Sequence, residues 1–228
     1  LYYGDNLPIL REHIADESID LIYLDPPFNS NRSYNVLFKD ESGKDSEAQI
    51  AAFDDTWHWN DTAEATYNDL VLYGSAEVSS MIAALRAFIG SNQMMAYLVM
   101  MTARLIELHR VLKETGSLYL HCDPTASHYL KIILDTIFDP ENFRNEVVWM
   151  RTTSKSLTTR RLPNNHDILF CYQKTDKATW NEVAIFEPYD VNNLEEKTAK
   201  KYSHRDPDGR IYRLDNLINP NPDRKSVV

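Results

Sequence analysis

Asp25-Pro26-Pro27-Phe28, followed by Asn29, sets a carboxylate, two rigid imino acids and an aromatic ring within four residues. Those groups suit one difficult reaction. An amino group on a heteroaromatic ring delocalises its nitrogen lone pair into that ring and is a poor nucleophile. Acceptors aimed at both amino hydrogens favour a pyramidal nitrogen and free the lone pair to attack an electrophilic methyl. The Asp25 carboxylate supplies one acceptor and the Pro26 carbonyl the other. Proline stiffens the turn and carries no N–H to compete. Acceptors fixed in advance act by position and electrostatics, with little reorganisation during reaction. Phe28, two residues beyond the prolyl carbonyl, can stack on a base drawn out of a duplex, worth about 1–3 kcal/mol. The plainer alternative is a strand ended by a Pro-Pro turn with a capping acid.

His121, Cys122, Asp123 and His128 are each of a type that ligates zinc. Neighbours on a strand point to opposite faces, so His121 and Cys122 do not converge on one ion, and no metal site is expected. Trp57-His58-Trp59 suits either contact with a nucleic acid or the packing of a loop. The net charge of −10 is unevenly spread. Residues 1–75 hold fifteen Asp and Glu against four Lys and Arg, 76–150 eight against six, and 151–228 eleven against fourteen, giving −11, −2 and +3. The densest basic stretch carries Arg151, Lys155, Arg160 and Arg161 with six Ser and Thr and no acid. Phosphate binding depends on local potential rather than total charge, so these four residues and Asn29 are the candidate DNA contacts. A solvated loop with scattered cations is the alternative.

Such groups need a scaffold. Ile19 to Leu24 is a short apolar run stopped at Asp25-Pro26-Pro27, which reads as a buried strand of a parallel sheet delivering its end to a loop. Residues from Asn29 to about Tyr73 are polar, acidic and aperiodic, and read as a long functional or mobile insertion. Met94, Leu98, Met101, Leu105, Leu108 and Leu112 recur at steps of three and four, drawing the apolar stripe of a helix that Gly116 ends. Ser117–Cys122 is then expected as a strand, Thr125–Phe138 as a helix, and Asn145–Met150 and Ile168–Tyr172 as further strands. This order predicts a Rossmann-like, doubly wound α/β sheet, whose ligands bind beyond the carboxyl ends of its strands. Asp25 and Asp123 belong at those ends. Beyond about Thr175 Pro, Asn and charge dominate, so the expected division is 1–175 and 176–228.

At 228 residues and 43% hydrophobic content, the chain can bury one sizeable core and is not a disordered segment. No apolar run is long enough for a membrane helix, and Leu1-Tyr2-Tyr3-Gly4-Asp5 lacks the layout of a signal peptide. Two cysteines in apolar stretches read as buried free thiols, and the expected compartment is the cytoplasm.

Ile22-Tyr23-Leu24-Asp25-Pro26-Pro27-Phe28 resembles the catalytic motif of the amino-group DNA methyltransferases, and acid at its first position resembles the adenine-specific members. The resemblance implies that Asp25 and the Pro26 carbonyl bind the target amino group and that Phe28 stacks on the base. It implies S-adenosylmethionine as the methyl donor, with Asp25 beside it. Tyr2-Tyr3-Gly4-Asp5-Asn6 resembles the strand and Gly-Asp turn preceding that motif, which makes Asp5 the candidate contact to the cofactor's adenine. Leu105–Leu112, Gly116–Asp123, Phe143–Trp149 and His166–Phe170 extend the likeness to modification subunits of type III restriction-modification systems. Double-stranded DNA, a second copy of the chain and a restriction subunit are the implied partners. One departure matters. The fold's cofactor turn is Gly-rich, and no two of the six glycines form Gly-x-Gly. The permuted order seen in the family places that turn after the catalytic motif, so the expectation is a catalytic piece followed by the start of a target-recognition region. An inactive remnant that binds DNA and a cytosine amino-group methyltransferase are the competing possibilities.

Overall fold

A computed structural model describes residues 1–2, 4–26, 33–35, 51–54, 58–151, 165–184, 200 and 204–212. The chain divides into the units Leu1–Thr179 and Trp180–Val228.

In the first unit, helix α1 (Asn6–His13) leads into strand β1 (Ile19–Leu24), and β2 (Ser33–Asn35) pairs antiparallel with β3 (Ala51–Asp54). Helices α2 (Asp61–Tyr73), α3 (Ala76–Ile89) and α4 (Gln93–Val111) follow, then strand β4 (Leu112–Cys122) and helix α5 (Ser127–Phe138). Strands β5 (Phe143–Met150) and β6 (His166–Gln173) complete a four-stranded sheet in the order β1-β4-β6-β5. The fold is mixed α/β, as expected. Within the sheet β1 and β4 run parallel, while β6 runs antiparallel to both β4 and β5.

Alternation along the strands gives the sheet two unlike faces. Ile22, Leu118, Leu120, Cys122, Ile168, Phe170 and Tyr172 share one face and join residues of all five helices in a single core. On the other face Leu21, Tyr23, Val147 and Trp149 stay exposed. Strand β1 therefore departs from the expected fully buried strand. Among the described strands it has a neighbour on one side, β4, and Ile22 is its single buried residue.

Helix α4 organises the core. Asn92 caps it by accepting from the Met95 amide at 3.0 Å, and Met95, Leu98, Met101, Leu105 and Leu108 are buried. Each such side chain contributes about 1.5–3 kcal/mol when fully buried. The expected stop at Gly116 is a correction: α4 ends at Val111 and β4 starts at once. Gly116 lies inside the strand, where a Cβ would stand 2.6 Å from Leu112 Cδ1 and 2.8 Å from its Cγ. Close packing, not helix termination, requires glycine there. A second correction concerns residues 29–73, where α2 occupies the last thirteen positions, capped by Asn60. Trp59 packs edge-on against Tyr67, both rings lie under the Arg86 guanidinium, and Arg86 forks onto Glu64 at 2.8 Å through each of two nitrogens. Of the two expectations for Trp59, loop packing is the one observed, whereas Trp57 lies outside the described residues.

In the second unit a short antiparallel pair, β7 (His204–Arg205) and β8 (Ile211–Tyr212), closes through Asp206, whose carboxylate accepts from the Arg210 amide at 2.7 Å. Gly209 takes φ +84° in that turn, a left-handed conformation that glycine adopts without strain. Among the described residues no helix is long and apolar enough to cross a membrane.

Candidate functional site

The parallel pair fixes the site. Leu24, the last residue of β1, lies opposite Leu120 of β4, so Asp25 emerges beside His121 at the carboxyl edge of both strands. Strand β6 runs the other way and brings its first residues to that edge, while β5 delivers Trp149, Met150 and then Arg151. Tyr23 pairs with Tyr119, Cys122 with Ile168 and Trp149 with Asp167. Counting by twos from these pairs puts Asp25, His121, Asp167 and Arg151 on the same face. Each strand of the sheet thus gives one polar residue to a row across its end.

The row is physically linked. His121 Nδ1 lies 3.0 Å from Asp25 Oδ1, and its Nε2 lies 3.4 Å from Asp167 Oδ2. Arg151 Nε stands 3.3 Å from Asp167 Oδ1. Burial falls off outward: the Asp167 side chain is 3% exposed, His121 18% and Asp25 63%. The carboxylate assigned to catalysis is thus the accessible end of a chain rooted in the protein. Pro26 is half-buried beside it. Pro27, Phe28 and Asn29 lie outside the described residues.

Asp5 does structural work of its own. It caps α1, accepting from the Leu7 amide at 3.0 Å, and the same oxygen meets Arg104 Nη2 of α4 at 2.6 Å. The expected strand before the Gly-Asp turn is not seen in described residues 1–2 and 4–5. A turn with Gly4 at φ +136° feeds a helix instead. Asp5 keeps 56% of its side chain exposed and therefore reachable.

The basic stretch starts on the same edge as Asp25. The Arg151 amide donates to the Asn165 carbonyl at 2.9 Å, which ties together the two ends of the connection from β5 to β6. Lys155, Arg160 and Arg161 fall between those ends and lie outside the described residues. Cys122 faces away from His121 into the core. Burial, with the charges of Asp123, Asp167 and Glu146 adding to it, pushes its thiol up to about 12. Asp123 accepts from the Ala126 amide at 3.1 Å at the start of α5. Among the described residues no group of three or more His, Cys, Asp or Glu is placed to hold a metal ion.

In the sequence His121 stands out only as a metal ligand to be rejected, and Asp167 only within the stretch His166–Phe170 that extends the family likeness. The link between them depends on strand register. The one signal in the chain is an ionisable residue at each strand end, on the edge where α/β sheets bind ligands.

The chain matches the DNA methylase family, of N6/N4 type, over residues 19–225. It is 26% identical over 200 residues to the Mod subunit of the type III restriction-modification enzyme StyLTI of Salmonella typhimurium, a match covering 86% of this chain and 27% of that protein. It is 24% identical over 226 residues to the type II methyltransferase M.KpnI of Klebsiella pneumoniae, covering 94% and 44% respectively. The Mod subunit of the type III enzyme EcoP15I of Escherichia coli is 23% identical over 209 residues, covering 89% and 29%. The chain therefore spans less than half the length of these curated relatives.

Proposed function

The chain belongs to the N6/N4 DNA methylase family, and from that premise we propose that its protein methylates the exocyclic amino group of an adenine flipped out of duplex DNA. The observation that carries the reading is Asp25, an accessible carboxylate at the carboxyl edge of a parallel strand pair, with His121 holding one of its oxygens. In this reading Asp25 accepts one hydrogen of the adenine amino group and the Pro26 carbonyl accepts the other. Pro27 stiffens the turn and Phe28 stacks on the extruded base. As the nitrogen forms its bond to carbon, it sheds one of those hydrogens as a proton, which Asp25 can pass to water. Proton acceptors already in place lower the barrier without waiting for solvent to reorganise.

S-adenosylmethionine, the proposed donor, supplies a sulfonium-activated methyl group when bound. The residues present fit part of it. Asp5 spends one oxygen on Leu7 and Arg104, which leaves the other to accept from the donor's adenine or ribose, and Asp25 borders the reacting centre. No Gly-x-Gly turn occurs in the chain. The names of the Mod relatives support a restriction-modification setting, with a restriction subunit and a second copy of the chain as proposed partners. Arg151, Lys155, Arg160, Arg161 and Asn29 are proposed to contact DNA, and residues 176–228 to begin the target-recognition region.

Transfer of labelled methyl to duplex oligonucleotides tests the reading. The full-length protein is expected to label adenine-containing sites, and Asp25→Ala to lose at least about 100-fold in kcat, the scale of deleting one preorganised polar contact. Label on cytosine alone would overturn the adenine assignment, and undiminished Asp25→Ala activity would remove the role given to Asp25.

A further inference from the structure

We propose that His121 is a positioning residue for this reaction: it holds the Asp25 carboxylate in its reactive orientation and is itself held by the buried Asp167. The inference rests on the amino-group methylation reading of Asp25. Three observations carry it.

The first is the exposure gradient. Asp25 follows a strand end and has nearly two-thirds of its side chain in water. A carboxylate so placed can turn about two side-chain bonds, and each turn moves the acceptor away from the substrate hydrogen. His121, on a strand and mostly enclosed, is the rigid partner. Its Nδ1 lies 3.0 Å from Oδ1 of Asp25, which leaves Oδ2 as the oxygen presented to the amino group.

The second is Asp167. Among the described residues it is the one charged residue enclosed by the protein, 2% exposed. Burying a carboxylate is costly unless cations or donors compensate. Arg151 approaches Oδ1 at 3.3 Å and His121 approaches Oδ2 at 3.4 Å. A sheet stabilised for packing alone would place an apolar residue here. Asp167 Oδ2 stands in ion-pair range of Nε2, and when both ring nitrogens carry protons this contact favours the ring plane that aims Nδ1–H at Asp25.

The third is topology. His121 and Asp167 lie in β4 and β6, Asp25 and Arg151 directly follow β1 and β5, and parallel and antiparallel pairing bring the four to one edge and one face. The row is a product of register, so the sheet sets where Asp25 meets His121.

The turnover test uses the full-length protein in five forms: wild type, Asp25→Ala, His121→Ala, His121→Asn and Asp167→Asn. His121→Ala is expected to lower kcat about 10- to 100-fold, the range a misplaced reacting group costs, with KM for DNA and for the methyl donor changed by less than about threefold. His121→Asn puts an amide donor where Nδ1 stood and is expected to recover at least tenfold of that loss. Asp167→Asn is expected to fall between them. A role confined to packing would give no recovery in the Asn variant. Unchanged kcat in His121→Ala, or an Asn variant no better than Ala, overturns the proposal while an inactive Asp25→Ala keeps the methylation reading. An active Asp25→Ala overturns that reading itself. Nitrogen NMR of the imidazole adds a readout independent of turnover. Replacing exposed Asp25 by Asn is expected to shift the His121 Nδ1 signal, and an unmoved signal means the contact is not made.

Discussion

Cys122 and Cys171 sit in neighbouring strands with buried side chains and are not bonded to each other. Burial raises both thiols, Cys122 to about 12. The nucleophile is the thiolate, so neither residue is expected to react with iodoacetamide at pH 8 while the protein is folded, and both are expected to react in denaturant. Mass spectrometry of the alkylated chain decides it, and rapid native labelling of Cys122 would contradict the burial that also isolates the core from the site. His109 makes a second residue-scale prediction. Desolvation, and secondarily the charge of Lys174, lowers its pKa below the usual value of 6.5. Glu77 of α3 and Asp135 and Asp139 at the end of α5 line the same hollow. A depressed histidine binds its proton more weakly in the folded state, so its contribution to stability is complete above pH ~6.5 and is lost as pH falls through that region. Glu64 and Glu107, whose pKa values are lowered below 4.5, lose theirs only at more acidic pH. The melting temperature is therefore expected to fall between pH 7 and 5, and His109→Gln to flatten that slope. The proposed reacting groups are readable at this scale because Asp-Pro-Pro-Phe is contiguous. The partner of Asp25 is not, since His121 is 96 residues away and meets it through strand register alone.

Among the elements, periodicity revealed α4 and missed α2 and α3. Helix α4 is buried along the stripe of Leu98, Met101, Leu105 and Leu108, so its sequence carries a strong repeat. Helix α2 buries Leu70 alone and leaves Leu72 and Tyr73 exposed, which erases the repeat, although its Asn60 cap was there to be noticed. Helix α3 carries its signal in Val78, Ile82 and Leu85 behind a Ser75 cap. Gly116 misled for a physical reason. Glycine marks helix ends and tight strand contacts alike, and here Leu112 folds back over it. Between the pairs Ile19↔Leu112 and Leu21↔Ser117 one residue of β1 faces four of β4, so the chain around Gly116 bulges before parallel pairing resumes. Because Leu112 is fully buried, it cannot swing away from an added methyl. Gly116→Ala is expected to cost about 1–3 kcal/mol, the range for overpacking. Urea denaturation measures it, and an unchanged midpoint would show that the bulge yields. The effect belongs to stability, with kcat of the folded fraction preserved.

For the whole molecule, charge and placement work in opposite directions. The chain carries −10, which repels a polyanion at long range, yet its last third is net positive. Its densest basic stretch leaves the sheet at Arg151 and returns at Asn165, on the edge that presents Asp25. In the proposed scheme attraction to phosphate is consequently local and begins at Arg151, on the edge that presents Asp25. In that scheme Arg151 has a double duty, because its guanidinium also lies 3.3 Å from buried Asp167. The proposed scheme assigns the other three cations to phosphate contacts alone. Replacing Lys155, Arg160 and Arg161 with Ala should therefore weaken DNA binding with little change in kcat at saturating DNA. Each phosphate contact releases counterions worth a slope of about 0.9 in log K against log salt. Loss of three contacts should flatten that slope by about 2.7. Arg151→Ala should remove one contact's worth of slope and also lower kcat, since Asp167 would lose a compensating charge. Fluorescence anisotropy of a labelled duplex from about 50 to 200 mM salt, paired with single-turnover methyl transfer, separates the two effects. A triple variant with unchanged slope would place the phosphate contacts elsewhere on the chain, and an Arg151→Ala variant with unchanged kcat would detach the basic stretch from the catalytic row.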